Sequence, residues 1–235
     1  MKRRLKKLVS ELISVCVVLS PVGFCYSAFA ESSGQPSEKS DPAQLRKCIA
    51  EVDRMQKENG PNSDYFVTKG QLLEWLHEPV AAIQEYSLAM KLDPKDPSYW
   101  VRRARCYRMI KKWTLAHKDY TTAISLGRKS TETYTGRALS SLALKDFSEA
   151  LSDANKALAI DSRETSAWYA RGHAELELGQ LRPAVFSLSK AIELEPQGPV
   201  FYELRSQAFT KLGEQSAAKQ DFALFQQYSQ FSKKD

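Results

Sequence analysis

A period of 34 residues runs without insertion from about Asn62 to Gln230. At that interval Trp168 falls in a column with Phe66, Trp100, Tyr134 and Tyr202, an aromatic each time. Gly172 shares its column with Gly70, Ala104, Ala138 and Ser206, all small. Ala184 repeats as Ala82, Ala116, Ala150 and Ala218, and Leu194 as Leu92, Leu126 and Ile160. Ala191 repeats as Ala89, Ala123 and Ala157, and Phe225 breaks that column. Within each period two apolar runs at helical spacing flank a turn; in the fourth, Gly179 marks the turn and Pro196 stops the second run. One hairpin of this size cannot bury its own apolar face and must stack on neighbours. The expected fold class is therefore all-α, an α-solenoid of five 34-residue helix-turn-helix repeats: 63–96, 97–130, 131–164, 165–198 and 199–230. Repeats are numbered one to five, and positions count from the first residue of each.

The pattern of aromatic at position 4, small residue at 8, Ala at 20, bulky residue at 24, Ala at 27 and Pro at 32 resembles the tetratricopeptide repeat (TPR) family. The resemblance covers roughly 170 of the 235 residues. Departures are a cation at position 7 in place of Leu, Arg128 and Ser162 in place of the closing Pro, and Ala154 in place of a bulky residue. Small residues at 8 and 20 let two helices approach closely, and the aromatic fills the space beside them. The resemblance implies that the first helix of each hairpin lines a concave groove. The implied partner-binding residues are Arg102, Arg105, Arg108 and Met109 of repeat two, Thr135, Leu139 and Leu142 of repeat three, and Tyr169, His173 and Leu176 of repeat four. Such a groove, basic and then apolar, suits an extended peptide carrying acids beside hydrophobic side chains. Relatives that clamp a terminal carboxylate use Asn at position 9; here it is Gln71, Arg105, Leu139, His173 and Gln207, so that ligand is not expected.

Ahead of the repeats, residues 1–30 open with MKRRLKK, continue as an uncharged run from Leu12, and close on Ala28-Phe29-Ala30. That order is a secretory signal peptide, with an uncleaved N-terminal anchor as the alternative. Either way the repeats are expected in an extracytoplasmic compartment, periplasmic or secreted. Residues 31–42, rich in Ser and Pro, read as a flexible linker. Residues 43–61 read as a half-repeat helix with Leu45, Cys48, Ile49, Val52 and Met55 on one face, and residues 231–235 as a tail.

The formal charge of +6 is concentrated at the front. The first thirty residues hold five of the 34 Lys and Arg and one of the 28 acids, which leaves 29 cations against 27 acids beyond them. A nucleic-acid partner is therefore not expected. Repeat two is the local exception, with nine Lys or Arg and one acid, Asp119, between Pro97 and Ser130. An alternative reading follows: binding of an anionic envelope polymer or lipid headgroups through that repeat.

No His or Cys pair sits at metal-ligand spacing, and no phosphate-cradling Gly loop or Gly-x-Ser-x-Gly elbow is present. No enzyme, metal or cofactor is expected. Position 7 reads Lys69, Arg103, Arg137, Arg171 and Arg205, and position 23 reads Glu85, Asp119, Asp153, Ser187 and Asp221. Their joint recurrence predicts ion pairs between the two helices of a hairpin, each contributing at most about 1 kcal/mol if exposed. The last helix carries Phe222, Leu224, Phe225, Tyr228 and Phe231, an aromatic patch through which self-association or partner docking is open. The whole reads as a non-enzymatic protein-protein interaction or assembly scaffold.

Overall fold

The computed structural model describes residues 41–231, and among them every regular element is a helix, eleven in all. The chain divides into two compact units, Met1–Tyr99 and Trp100–Asp235. The first contains α1 (Pro42–Asn59), α2 (Ser63–Trp75) and α3 (Pro79–Leu92). Helix α4 (Pro97–Met109) crosses the division. The second unit continues with α5 (Trp113–Ser125), α6 (Thr131–Ala143), α7 (Phe147–Ile160), α8 (Thr165–Glu177), α9 (Leu181–Leu194), α10 (Pro199–Leu212) and α11 (Gln215–Phe231). Five hairpins in the expected register and a preceding half-repeat helix are thus present. The signal-peptide reading, most of the linker and the tail lie outside the described residues. Asp41 and Pro42, read as linker, instead start α1: the Asp41 side chain caps the Ala43 amide at 2.9 Å and Pro42 occupies the first turn.

In the first unit, α1 buries Leu45, Cys48, Val52 and Met55 and packs on α2 through Leu72, with Ile49, Tyr65, Trp75 and Leu76 around them. In the second, α7 packs on its own first helix α6 and on α8 of the following hairpin, and α9 likewise on α8 and α10. The small column explains the closeness. A methyl group added at Gly172 would lie 2.7 Å from the Leu188 side chain, position 24 of the same repeat. One at Gly136 would lie 2.3 Å from the Tyr120 ring, position 24 of the repeat before. Column 24 therefore packs forward and backward at once, and Ala154 at that place is accommodated by Ala138, Leu142, Ala170 and Ala174.

The turn between the two helices is identical in all five hairpins. Position 15 is left-handed each time: His77 (φ 56°), Lys111 (57°), Lys145 (64°), Gly179 (76°) and Gly213 (81°). The following amide then bonds back to position 11, as Asp146 N to Ser141 O at 2.8 Å and Gln180 N to Glu175 O at 2.8 Å. This closure satisfies carbonyls that the helix end would leave unpaired. Where the closing Pro is missing, other residues make the turn. Gly127 (φ 93°) serves repeat two, and the Asp161 side chain accepts from Arg163 N at 2.9 Å in repeat three.

Candidate functional site

The second unit sets its first helices side by side: α8 packs against α6 and α10. Arg105 on α4 reaches Glu132 on α6 at 3.7 Å, both side chains about half exposed. Arg108 bonds the hydroxyl of the buried Tyr120, whose phenol is pushed up in pKa by burial against the pull of that cation. Met109 is exposed and Arg102 half-buried. Arg102, Arg105 and Arg108 thus lie together on α4, and Glu132, an acid supplied by the next repeat, partly offsets their charge.

Beyond it runs a chain of rings. His173 lies 5.8 Å from Tyr169 and 6.5 Å from Phe147, and Tyr169 lies 5.8 Å from Phe201. Leu139 and Tyr169 are half-buried and rest on the cluster of Ala138, Leu142 and Ala170. Burial lowers the His173 pKa below its ordinary 6.5, against the opposing charge of Glu177, so the ring is neutral at pH 7. Burial likewise raises Tyr169, which stays a phenol. Among the described residues four buried polar atoms on α4, α6 and α8 have no hydrogen-bond partner: Trp100 Nε1, Arg108 Nε, Thr135 Oγ1 and His173 Nδ1.

Not every expected groove residue lies on this surface. Leu176 is 0% exposed and packs among Ala184, Leu188, Leu204 and Ala208. Leu142 and Thr135 are also buried. These three face neighbouring helices, so they shape the site without offering area to a partner. Phe147 and Phe201 belong to the ring chain and were missed. Their columns gave no signal: position 17 mixes Pro79, Trp113 and Leu181 with Phe147, and position 3 mixes Thr133 and Ala167 with Phe201.

The cation column is consumed internally. Arg103 binds Asp119 through two nitrogens at 2.7 and 2.9 Å, Arg137 binds Asp153 at 2.6 and 2.9 Å, and Arg205 binds Asp221 at 2.7 and 2.8 Å. Each acid is buried, which corrects the expectation of exposed pairs worth at most about 1 kcal/mol. The hydrogen bonds that Arg137 donates to Asp153 hold its pKa above its ordinary range despite burial. A third contact ties Arg137 and Arg205 to the repeat before: Arg137 Nη1 to Thr121 Oγ1 at 3.2 Å, and Arg205 Nη1 to Ser189 Oγ at 2.9 Å. In repeat four, where Ser187 replaces the acid, Glu175 takes over. It accepts from Arg171 at 2.9 Å and from Ser187 at 2.6 Å. In repeat one Lys69 bridges Asp53 at 2.9 Å and Glu85 at 3.1 Å. The shorter cation leaves Glu85 Oε2 without a hydrogen-bond partner among the described residues, beside an open hollow of about 400 Å³. Guanidinium groups so committed offer nothing to an external anion.

Among the described residues no group of three His, Cys, Asp or Glu is placed to hold a metal, and no helix is long and apolar enough to cross a membrane. Cys48 and Cys106 are both buried.

Comparison with known proteins agrees with the architecture. A tetratricopeptide repeat family model matches residues 165–197. No curated protein matches the chain by sequence. Among solved structures, MamA of Desulfovibrio magneticus RS-1, from residue 41 to its end, is similar with a TM-score of 0.66 at 15% identity, over 73% of this chain and 97% of that one. YrrB, described as a TPR protein with an unusual peptide-binding site, gives a TM-score of 0.65 at 15% identity, over 75% of this chain and 91% of its own. A tetratricopeptide repeat protein of Parabacteroides merdae ATCC 43184 gives 0.64 at 20% identity, over 84% and 77%. The chain thus shares its fold with tetratricopeptide repeat proteins, and residues 165–197 carry their sequence pattern.

Proposed function

We propose that this chain is a non-enzymatic binding or assembly scaffold whose second unit holds an extended peptide, or an extended segment of a protein, along α4, α6 and α8. The observation that carries the reading is the coincidence, on α4, α6, α8 and the helices α7 and α10 packed against α8, of a cationic end, a chain of aromatic rings and unpartnered buried donors and acceptors. Peptide-binding sites combine apolar area with a few polar groups that fix orientation. Arg105 favours an acidic residue on the partner, and Leu139, Tyr169 and His173 favour an apolar or aromatic one. Peptide or protein binding is the general role of this repeat class, and YrrB is described as having a peptide-binding site. The basic start, apolar run and Ala-x-Ala ending of residues 1–30 support placing this activity outside the cytoplasm.

Titration calorimetry with a panel of peptides pairing acidic and aromatic residues tests this. A matching peptide should bind, and Arg105→Glu and His173→Glu should each weaken it about tenfold or more, equivalent to about 1.4 kcal/mol. Equal binding by both variants would place the site elsewhere. Anionic polymer or headgroup binding is distinguished by salt: counterion release makes such affinity fall steeply between about 50 and 200 mM. A peptide held largely by rings should lose far less.

A further inference from the structure

In repeats two to four the second helix turns positions 24 and 27 into the hairpin that follows. Tyr120 lies over Gly136, and Ala157 packs with Ala167. Tyr120, Ala154 and Leu188 at position 24 and Ala123, Ala157 and Ala191 at position 27 are at most 1% exposed. On α11 the same two positions are Phe222 and Phe225, with rings 5.9 Å apart. Phe222 remains 49% exposed among the described residues.

From this face we infer a dimer site: the α11 face around Phe222 and Phe225 pairs with the same face of a second copy of the chain about a two-fold axis. Two observations choose that occupant. The first is steric. Column 27 is Ala wherever a hairpin of this kind stacks on it, and the Phe225 ring fills the room an incoming first helix needs. Head-to-tail continuation by another copy is thereby blocked, which leaves a closed, isologous pairing.

The second is charge. A two-fold axis sets like residues against like, so only a face poor in charge tolerates it. The exposed residues beside the rings, Ala223 and Gln226, are neutral. The one acid of α11, Asp221, is buried and held by Arg205. Lys219 lies a turn before Phe222; in an antiparallel crossing centred on the two rings it meets Tyr228 of the partner copy, not its own counterpart. A 17-residue helix is about 26 Å long, so one such contact buries less than the roughly 1,200 Å² of a stable interface. The dimer is a concentration-dependent one, and it is independent of the peptide site.

Sedimentation velocity over a roughly hundredfold concentration range decides the matter. The chain should rise from monomer to a plateau at twice the mass. Phe222→Asp should stay monomeric throughout, and Phe186→Asp, which charges a similarly exposed ring on α9, should dimerise as the parent does. Circular dichroism confirms that each variant keeps its helices; where Phe222→Asp loses them, Phe222→Ser replaces it. A parent that stays monomeric overturns the inference. So does a Phe222 variant that still dimerises, a Phe186 variant that does not, or growth past the dimer without a plateau.

Discussion

At the scale of single residues, position 15 carries a strain that the sequence itself shows how to relieve. Repeats four and five place Gly there, whereas Lys145 holds φ 64° with a side chain on it. A left-handed non-Gly residue costs about 1–2 kcal/mol, of which Gly returns part through its freer unfolded chain. Lys145 is exposed, so nothing else is lost. Lys145→Gly should stabilise by about 0.5–1 kcal/mol and raise the melting temperature by about 1–4 °C in a calorimetric scan. A drop would show that the Lys145 side chain does something its exposure conceals. His173 makes the second residue-scale prediction. Its folded pKa is depressed by burial, so the unfolded chain takes up the proton first as pH falls. Stability is then complete above about pH 6.5 and declines as pH falls from there toward the folded pKa. Melting curves at about pH 7.5 and 5.5 should show the parent losing more than His173→Gln does. Equal losses would mean that other groups govern the acid response.

At the scale of elements, the Arg–Asp bridges join the two helices of a hairpin, and third contacts of Arg137 and Arg205 reach the hairpin before. Asp153 is wholly buried and holds Arg137 through two bonds, with Lys156 Nζ at 3.1 Å as well. Asp153→Ala leaves the guanidinium only Thr121 and Glu149, the latter at 3.6 Å, and should cost about 3 kcal/mol. Replacing both partners with apolar residues of similar size should recover much of that loss, since no charge then stays buried. A denaturant double-mutant cycle measures this; purely additive losses would show that the pair is not coupled. The pairing was legible in the sequence because its columns sit sixteen residues apart in the same register. Its burial was not. Whether a cation at position 7 is exposed depends on the aromatic beside it and on the hydroxyl of the preceding repeat. Arg103, for instance, also lies over the Trp100 and Tyr107 rings, 5.2 and 5.6 Å from their centroids. The candidate site was legible only in outline for a related reason. Column arithmetic places a residue on a helix face, but Leu176 and Tyr169 share the first-helix surface, and only packing decides which of them is covered.

At the scale of the whole molecule, stability in stacked hairpins is close to a sum of each hairpin and its neighbour contacts. In the second unit α7 and α8 are each packed on both sides, α7 by α6 and α8, α8 by α6, α7, α9 and α10. Helix α11 rests on α10, carries the half-exposed Phe222, and exposes most of its length. Its anchors are the Arg205–Asp221 bridge, the Ser206 hydroxyl donated to Ala218 O at 2.8 Å, and the Tyr202–Tyr228 stack at 5.5 Å. Opening α11 therefore breaks one helix–helix contact, while opening α8 breaks several. Native-state hydrogen exchange at low protein concentration should show amides of α7 and α8 protected at least about a hundredfold more than those of α11. That ratio corresponds to a difference in opening free energy of about 2.7 kcal/mol. Uniform protection from α4 to α11 would mean that the second unit opens as one cooperative body and that neighbour contacts do not set its local stability. Arg205→Met separates the two cases further. Under the neighbour-sum account it should lower protection in α11 and leave α7 and α8 unchanged. Under the single-body account protection should fall in every helix of the unit alike.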